Sequence, residues 1–151
     1  MRPYMDKVMP EAWEAAGTFA TSVGEEALRQ GLTPQEMELI KLRASQMNGC
    51  VYCLDLHSRK AREAGLSQQK LDILPAWRET DLFDDREQAV LAIAEAATDL
   101  PLSEESTADL FGAKTVLGEQ AFVAAEWIAV MINAFNRISI LSGHPVRPRH
   151  A

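Results

Sequence analysis

Two cysteines and a histidine lie close together near the middle of the chain. Cys50 and Cys53 are three residues apart, and His57 follows Cys53 by four. Helical residues four apart share a face, so the imidazole of His57 can take or hold the proton of the Cys53 thiol. The spacing of the cysteines also allows the two sulfurs to close a small disulfide. The segment therefore predicts thiol redox chemistry.

The position of the histidine selects one cysteine as the attacking group. Both thiols are predicted in the first turn of a helix, where unpaired N–H groups and the helix dipole stabilise a thiolate. Because His57 lies one turn after Cys53, proximity selects Cys53 as the activated thiolate and leaves Cys50 as the resolving partner. This chemistry requires no metal or prosthetic group, and an external dithiol must supply the electrons.

Two other interpretations of the same residues stay open. The two cysteines and His57 could bind zinc with Glu38 as a fourth ligand, since a structural zinc site takes four. Alternatively, the cysteines could be buried and inert, as free cysteine commonly is, and the histidine solvated. We favour the redox interpretation, because the other two histidines lie far along the chain and a chance grouping on one helix face is improbable.

The elements that must position these residues are predicted to be helices. Apolar residues recur at intervals of three and four from Pro10 to Leu28. Thr33, with Pro34 and Glu36 after it, marks the start of a helix that ends at Asn48-Gly49. Further helices are predicted from Cys50 to about Ala64, from Ser67 to about Leu74 before Pro75, after Asp84 or Asp85, from Ser103, and from Gly118 to about Leu141.

No segment alternates polar and apolar residues as a strand would, so we predict one all-α domain of six to eight helices over residues 1–151. The last helix is apolar on more than one face, which predicts a central position or a subunit contact. Its polar residues Asn133, Asn136 and Arg137 either brace the cysteine turn or a subunit contact, or Arg137 simply points outwards. The three tryptophans are expected in the core or at a subunit contact.

Composition and charge exclude several classes of protein. The chain has 151 residues, of which 47% are hydrophobic and 25% charged, as in a single globular domain. Its net charge of −7 argues against nucleic-acid binding. Residues 1–20 contain acids and no continuous apolar run, unlike a signal peptide, and Glu126 and Arg137 make membrane insertion of residues 121–141 costly. We therefore expect a cytoplasmic protein with no membrane partner. In the cytoplasm, a close pair of cysteines is usually redox-active or metal-binding.

A larger set of residues resembles the alkylhydroperoxidase D-like proteins of the carboxymuconolactone decarboxylase superfamily. The specific part is Glu38, then Arg43-Ala44-Ser45-Gln46, then Cys50-x-x-Cys53-x-x-x-His57. Weaker matches follow in the expected order at Ala61-Arg62, Gly65, Trp77-Arg78, 85–89 and 133–137, so the resemblance covers roughly residues 10 to 145.

The resemblance implies an all-helical homo-oligomer, commonly a trimer or hexamer, with thiol-dependent peroxidase activity and a lipoamide- or thioredoxin-like electron donor. In that family the second cysteine is peroxidatic and the first resolving, which carries onto Cys53 and Cys50. The family's glutamate and histidine of the proton relay map to Glu38 and His57. Tyr52 stands where the best-known members have a further histidine. Decarboxylase members generally lack the cysteine pair, so that activity is disfavoured. The alternative function is a redox-sensing or interaction protein whose disulfide forms without appreciable turnover.

Overall fold

Helices account for all the regular structure of residues 1–150. A computed structural model describes residues 1–150. Among these residues there is no strand, which confirms the predicted all-α class. The helices are α1 (Met5–Val8), α2 (Pro10–Arg29), α3 (Pro34–Asn48), α4 (Val51–Glu63), α5 (Gln68–Ile73), a 3-10 helix (Leu74–Glu79), α6 (Asp85–Thr98), α7 (Glu104–Leu117) and α8 (Glu119–Ser142).

The helix starts follow capping signals in the sequence. The Thr33 hydroxyl accepts a hydrogen bond from the Glu36 N–H (3.1 Å), while the Glu36 carboxylate accepts one from the Thr33 N–H (2.9 Å). Asp84 and Glu87 form the same reciprocal pair at the start of α6. Ser103 caps α7 through its side chain. Each of these caps satisfies backbone N–H groups that the first helical turn would otherwise leave unpaired.

Two features of the fold differ from the sequence prediction. The short helix α1 was not expected, since four residues carry too little periodicity to be recognised. The chain also continues in helical form past Pro75, because this residue lies in the first turn of the 3-10 helix, where proline has no hydrogen bond to lose.

Helix α8 runs through the centre of the domain, as its apolar composition predicts. It packs against α2, α3, α6 and α7, and its residues Ala125, Ile128 and Ile132 are almost completely buried. Among the described residues it is also the one helix long and apolar enough to cross a membrane, but half of its apolar window is buried inside the domain. This is the pattern of a core helix in a soluble-type helical fold.

The tryptophans occupy three different environments. Trp77 is buried, and its indole N–H donates to the Glu95 carboxylate at 3.1 Å. Trp127 is 52% exposed on the outer face of α8, and Trp13 is partly exposed beside the cavity described below. The core position expected for the tryptophans is thus confirmed for Trp77, and a subunit contact stays the prediction for Trp13 and Trp127.

A network of polar side chains joins α8 to the end of α3. The fully buried Asn136 donates to the Ser45 hydroxyl (3.0 Å), and Asn48 donates to the side-chain oxygens of Asn136 and Asn133 (2.9 Å each). Arg137 is exposed and donates to Asn133. The asparagines thus brace the segment just before the first cysteine, while Arg137 lies at the surface, so the two interpretations of this cluster each apply to part of it.

Replacing the centre of this network should destabilise the fold. We expect Asn136→Ala to lower the free energy of unfolding by about 1–3 kcal/mol, because it removes one of the two acceptors of the Asn48 amide and the donor to the Ser45 hydroxyl from a buried network. Urea denaturation measures this change. The control is Gln120→Ala, an exposed amide on the same helix that should change stability by less than about 0.5 kcal/mol. Equal losses in the two variants would contradict the prediction.

Candidate active site

A tight turn between α3 and α4 positions the cysteines. Gly49 ends α3 in the left-handed conformation (φ 68°), and the Cys50 N–H donates back to the Ser45 carbonyl at 3.1 Å. Glycine adopts this conformation at little cost, which allows the chain to reverse direction. Helix α4 then returns along α3, so that Gly65 beyond its end lies near Gln35 at the start of α3.

This hairpin brings Glu38 of α3 next to His57 of α4. The Glu38 Oε2 and His57 Nδ1 atoms are 2.9 Å apart, and both side chains are only 11% exposed. Among the described residues, no group is hydrogen bonded to the other ring nitrogen, Nε2. A carboxylate that accepts from Nδ1–H fixes the orientation and tautomer of the ring. In a neutral ring with this orientation, Nε2 is therefore a hydrogen-bond acceptor. His57 also borders a cavity, described below, that Cys53 borders as well.

Glu38 is ionised despite its burial. Burial by itself raises the pKa of this carboxyl, but the hydrogen bond with His57 and the charge of Lys41 outweigh that effect. The Lys41 ammonium lies 3.5 Å from Glu38 Oε1. The net result is a pKa below the ordinary value, so Glu38 carries its charge at neutral pH and can stabilise a protonated His57.

The two cysteines are joined in a disulfide with a Cα–Cα distance of 5.3 Å. Cys50 caps α4, where its sulfur accepts a hydrogen bond from the Cys53 N–H at 3.3 Å. Both residues are nearly inaccessible, with exposures of 1% for Cys50 and 3% for Cys53. Cys53 borders the adjoining cavity, whereas Cys50 does not. The two sulfurs are therefore unequal, since only Cys53 faces a space that a substrate could occupy.

The cavity above Cys53 has a volume of about 610 Å³, which is within the range of small-molecule sites. Its apolar walls come from α2, α4 and α8 and include Trp13, Leu56, Met131 and Phe135. His57 also borders it. The arrangement can hold an organic molecule with one reactive end at the Cys53 sulfur.

Tyr52 also borders the cavity and contacts His144, which forms a pair with Asp6 that the sequence analysis did not predict. Its ring meets that of His144 edge-on, with centroids 5.7 Å apart. His144 Nε2 lies 2.9 Å from the Asp6 carboxylate and Nδ1 lies 3.2 Å from the Ser139 hydroxyl. Partial burial raises the pKa of Asp6, but the hydrogen bond with His144 outweighs it and holds that pKa below the ordinary value. No local pattern could reveal this pair, because its members are 138 residues apart.

The domain is all-helical, with a cysteine pair at the start of one helix and a paired glutamate and histidine beside it. These features define a class of helical CxxC protein. Residues 10–96 match the carboxymuconolactone decarboxylase family, and the chain belongs to that family. The resemblance found in the sequence is thereby confirmed. The matched residues include the two cysteines, Glu38 and His57, whereas Asp6 and His144 lie outside them.

Several known proteins are similar to the chain. The uncharacterized protein YdfG of Bacillus subtilis (strain 168) is 37% identical over 107 residues, which is 71% of this chain and 73% of YdfG. The uncharacterized protein YnjA of Escherichia coli (strain K12) is 38% identical over 76 residues, which is 50% of this chain and 42% of YnjA. A crystal structure from Agrobacterium tumefaciens superimposes with a TM-score of 0.80 at 28% identity, covering 97% of this chain and 99% of that one. That protein is of unknown function and is described as a candidate antioxidant defence protein AhpD.

The charge of Glu38 should contribute to stability in a pH-dependent way. Because its folded-state pKa lies below the ordinary value of 4.5, ionised Glu38 stabilises the fold above about pH 4.5 and loses this contribution as pH falls below it. We expect Glu38→Gln to cost about 1–2 kcal/mol at pH 7, because it removes a charged hydrogen-bond partner of His57.

Urea denaturation at pH 7 and in steps below pH 4.5 tests this expectation, and the difference from the wild type should shrink across that range. Glu63→Gln is the matched control, since Glu63 is an exposed carboxylate on α4. A loss that is the same at every pH would show that the charge of Glu38 is not its source.

Proposed function

We propose that the chain is a thiol-dependent peroxidase that reduces organic hydroperoxides in antioxidant defence and is itself reduced by an external dithiol. One observation carries this proposal: of two sulfurs within bonding distance, only Cys53 borders the cavity, and it does so beside a histidine whose ring is oriented by a buried carboxylate. The similarity to the candidate antioxidant protein from Agrobacterium tumefaciens supports the same class of activity.

In the reduced protein, Nε2 of His57 takes the proton of the Cys53 thiol, and Glu38 stabilises the resulting imidazolium. The Cys53 thiolate attacks the terminal oxygen of the hydroperoxide. A sulfur–oxygen bond forms, the O–O bond breaks, and the alkoxide that leaves takes the proton from His57 to become an alcohol. Cys53 is thereby oxidised to a sulfenic acid while the peroxide is reduced.

Cys50 then resolves the sulfenic acid. Its sulfur attacks the Cys53 sulfur, the S–S bond forms and the S–O bond breaks, and the departing hydroxide takes the Cys50 proton to give water. The product is the Cys50–Cys53 disulfide seen in the structure. An external dithiol of lipoamide or thioredoxin type returns both electrons by exchange and becomes a disulfide itself. In this proposal no resident metal or prosthetic group takes part.

The working form that we propose is a homo-oligomer, a trimer or hexamer, in a cytoplasm that keeps the donor dithiol reduced.

The zinc interpretation applies to the reduced protein alone, since in this structure the two sulfurs are bonded to each other. Metal analysis of protein purified under reducing conditions tests it, and about one zinc per chain would be its result.

Thiol counting after a single addition of hydroperoxide tests the roles of the two cysteines. The reduced wild type should lose both thiols for each peroxide consumed. Cys53→Ser should lose none, because the remaining thiol does not border the cavity. Cys50→Ser should stop at a sulfenic acid that a dimedone probe captures, since no resolving thiol is present. If the Cys53→Ser variant reduces peroxide as fast as the wild type, the assignment is wrong.

A second candidate function is a redox sensor that forms the disulfide once and turns over too slowly to matter. The near-complete burial of both sulfurs favours it, because a bulky dithiol has little direct access to them. Steady-state peroxide consumption with a panel of dithiols, including lipoamide and thioredoxin-like donors, separates the two functions. Sustained consumption indicates the peroxidase, and one stoichiometric oxidation with every donor indicates the sensor.

A further inference from the structure

We propose that the cavity selects hydroperoxides that carry a carboxylate on an apolar body, and that Lys60 and Arg147 bind this carboxylate. The inference rests on the proposed function, because it names the substrate class of the same site. It depends on three features of the cavity: its size, the sign of the charges around it, and which of these charges already have partners.

The size of the cavity indicates an organic substrate. A volume of about 610 Å³ is far more than hydrogen peroxide needs and lies within the range of cavities that enclose organic ligands. Much of its wall is formed by Trp13, Leu56, Met131 and Phe135, whose side chains offer no charged partner. Burial of an apolar group against them is favourable in proportion to the area removed from water. The body of the substrate is therefore apolar.

The charges around the cavity have the opposite sign to the chain as a whole. The chain has a net charge of −7, yet the cavity is bordered by four cationic side chains and a single carboxylate. The cations are Lys7, Lys41, Lys60 and Arg147, and the carboxylate is Asp6. A cleft that concentrates positive charge between apolar walls attracts anions and raises their local concentration. The preferred substrate is therefore an anion.

Two of the four cations are already paired. Lys41 lies 3.5 Å from Glu38, and Lys7 lies 3.6 Å from Asp6. Lys60 and Arg147, by contrast, form no salt bridge with any residue that the structure describes. These two side chains are the ones available to a carboxylate on a ligand.

Both cations are held where they can reach the cavity and its reactive end. Lys60 follows His57 by three residues on α4, so the two side chains lie on the same side of the helix. Arg147 lies in the segment after α8, which is fixed on one side by the pair of His144 with Asp6 and on the other by Arg149, which binds Asp55. A ligand with its carboxylate between the two cations can therefore extend its other end towards Cys53.

The sharpest test uses a pair of substrates that differ only in charge: an aryl hydroperoxide with a para carboxylate, and its methyl ester. The reduced protein is mixed with each in a stopped-flow instrument, and thiol loss is followed over a single oxidation, so that no electron donor is involved. We expect the acid to react about tenfold faster than the ester at low ionic strength, with the ratio falling as salt is added.

Variants locate the source of this preference. Lys60→Gln and Arg147→Gln should each lower the ratio of the acid rate to the ester rate about threefold, the size expected for one partly exposed ion pair. Lys60→Arg should retain the preference because it keeps the charge. Lys114→Gln is the matched control, since it removes an exposed cation on α7 that does not border the cavity.

The outcomes separate the inference from the proposed function. Equal rates for acid and ester, or a preference that survives removal of both cations, would overturn the inference while the peroxidase stands. Loss of no thiol with any hydroperoxide would overturn the peroxidase. In that case the binding of para-isopropylbenzoate, which has no peroxide group, still decides the inference. A change in tryptophan fluorescence, to which Trp13 at the cavity contributes, should report binding, and the variant that combines Lys60→Gln with Arg147→Gln should bind about tenfold more weakly.

Discussion

A buried, ionised carboxylate is the constraint on which the site depends. The charge of Glu38 has little contact with water, and an isolated charge in such a place would be prohibitively unfavourable. It is tolerated because His57 and Lys41 supply a hydrogen bond and a counter-charge. These partners come from two helices, so α3 and α4 must lie side by side in one register. The turn at Gly49 fixes this register and, by the same geometry, places the cysteines at the start of α4.

The rest of the domain holds that hairpin in place. Helix α8 fills the core with apolar side chains and carries Asn136, which reaches the end of α3 through Ser45 and Asn48. A buried polar network in which each member has a partner fixes one arrangement, because any shift leaves groups unsatisfied. The cysteine turn is therefore attached to the buried central helix of the fold. In the proposed mechanism the Cys53 thiol meets a peroxide and then a second thiol, and this sequence of steps needs such fixed support.

Local signals in the sequence were sufficient for the parts of the structure that depend on local physics. The caps at Thr33 and Asp84 were predictable because each is completed within four residues. The pairing of Glu38 with His57 was predicted from the family resemblance, and the short turn between the two helices permits it. The pair of Asp6 with His144 was not, because nothing near either residue indicates the other and only the assembled fold brings them together. The position of Trp13 at the cavity was not predicted for the same reason, because the amphipathic pattern of a helix does not identify the surface against which that helix packs.

The ion pairs divide the cations around the cavity into two groups with different consequences. Lys41 and Lys7 are paired with carboxylates, and this pairing stops Glu38 and Asp6 from repelling an anion in the cavity. Lys60 and Arg147, by contrast, form no salt bridge with any residue that the structure describes. In our proposal the two unpaired cations attract an anionic substrate to Cys53, and this role explains why an acidic chain gathers cations around the cavity.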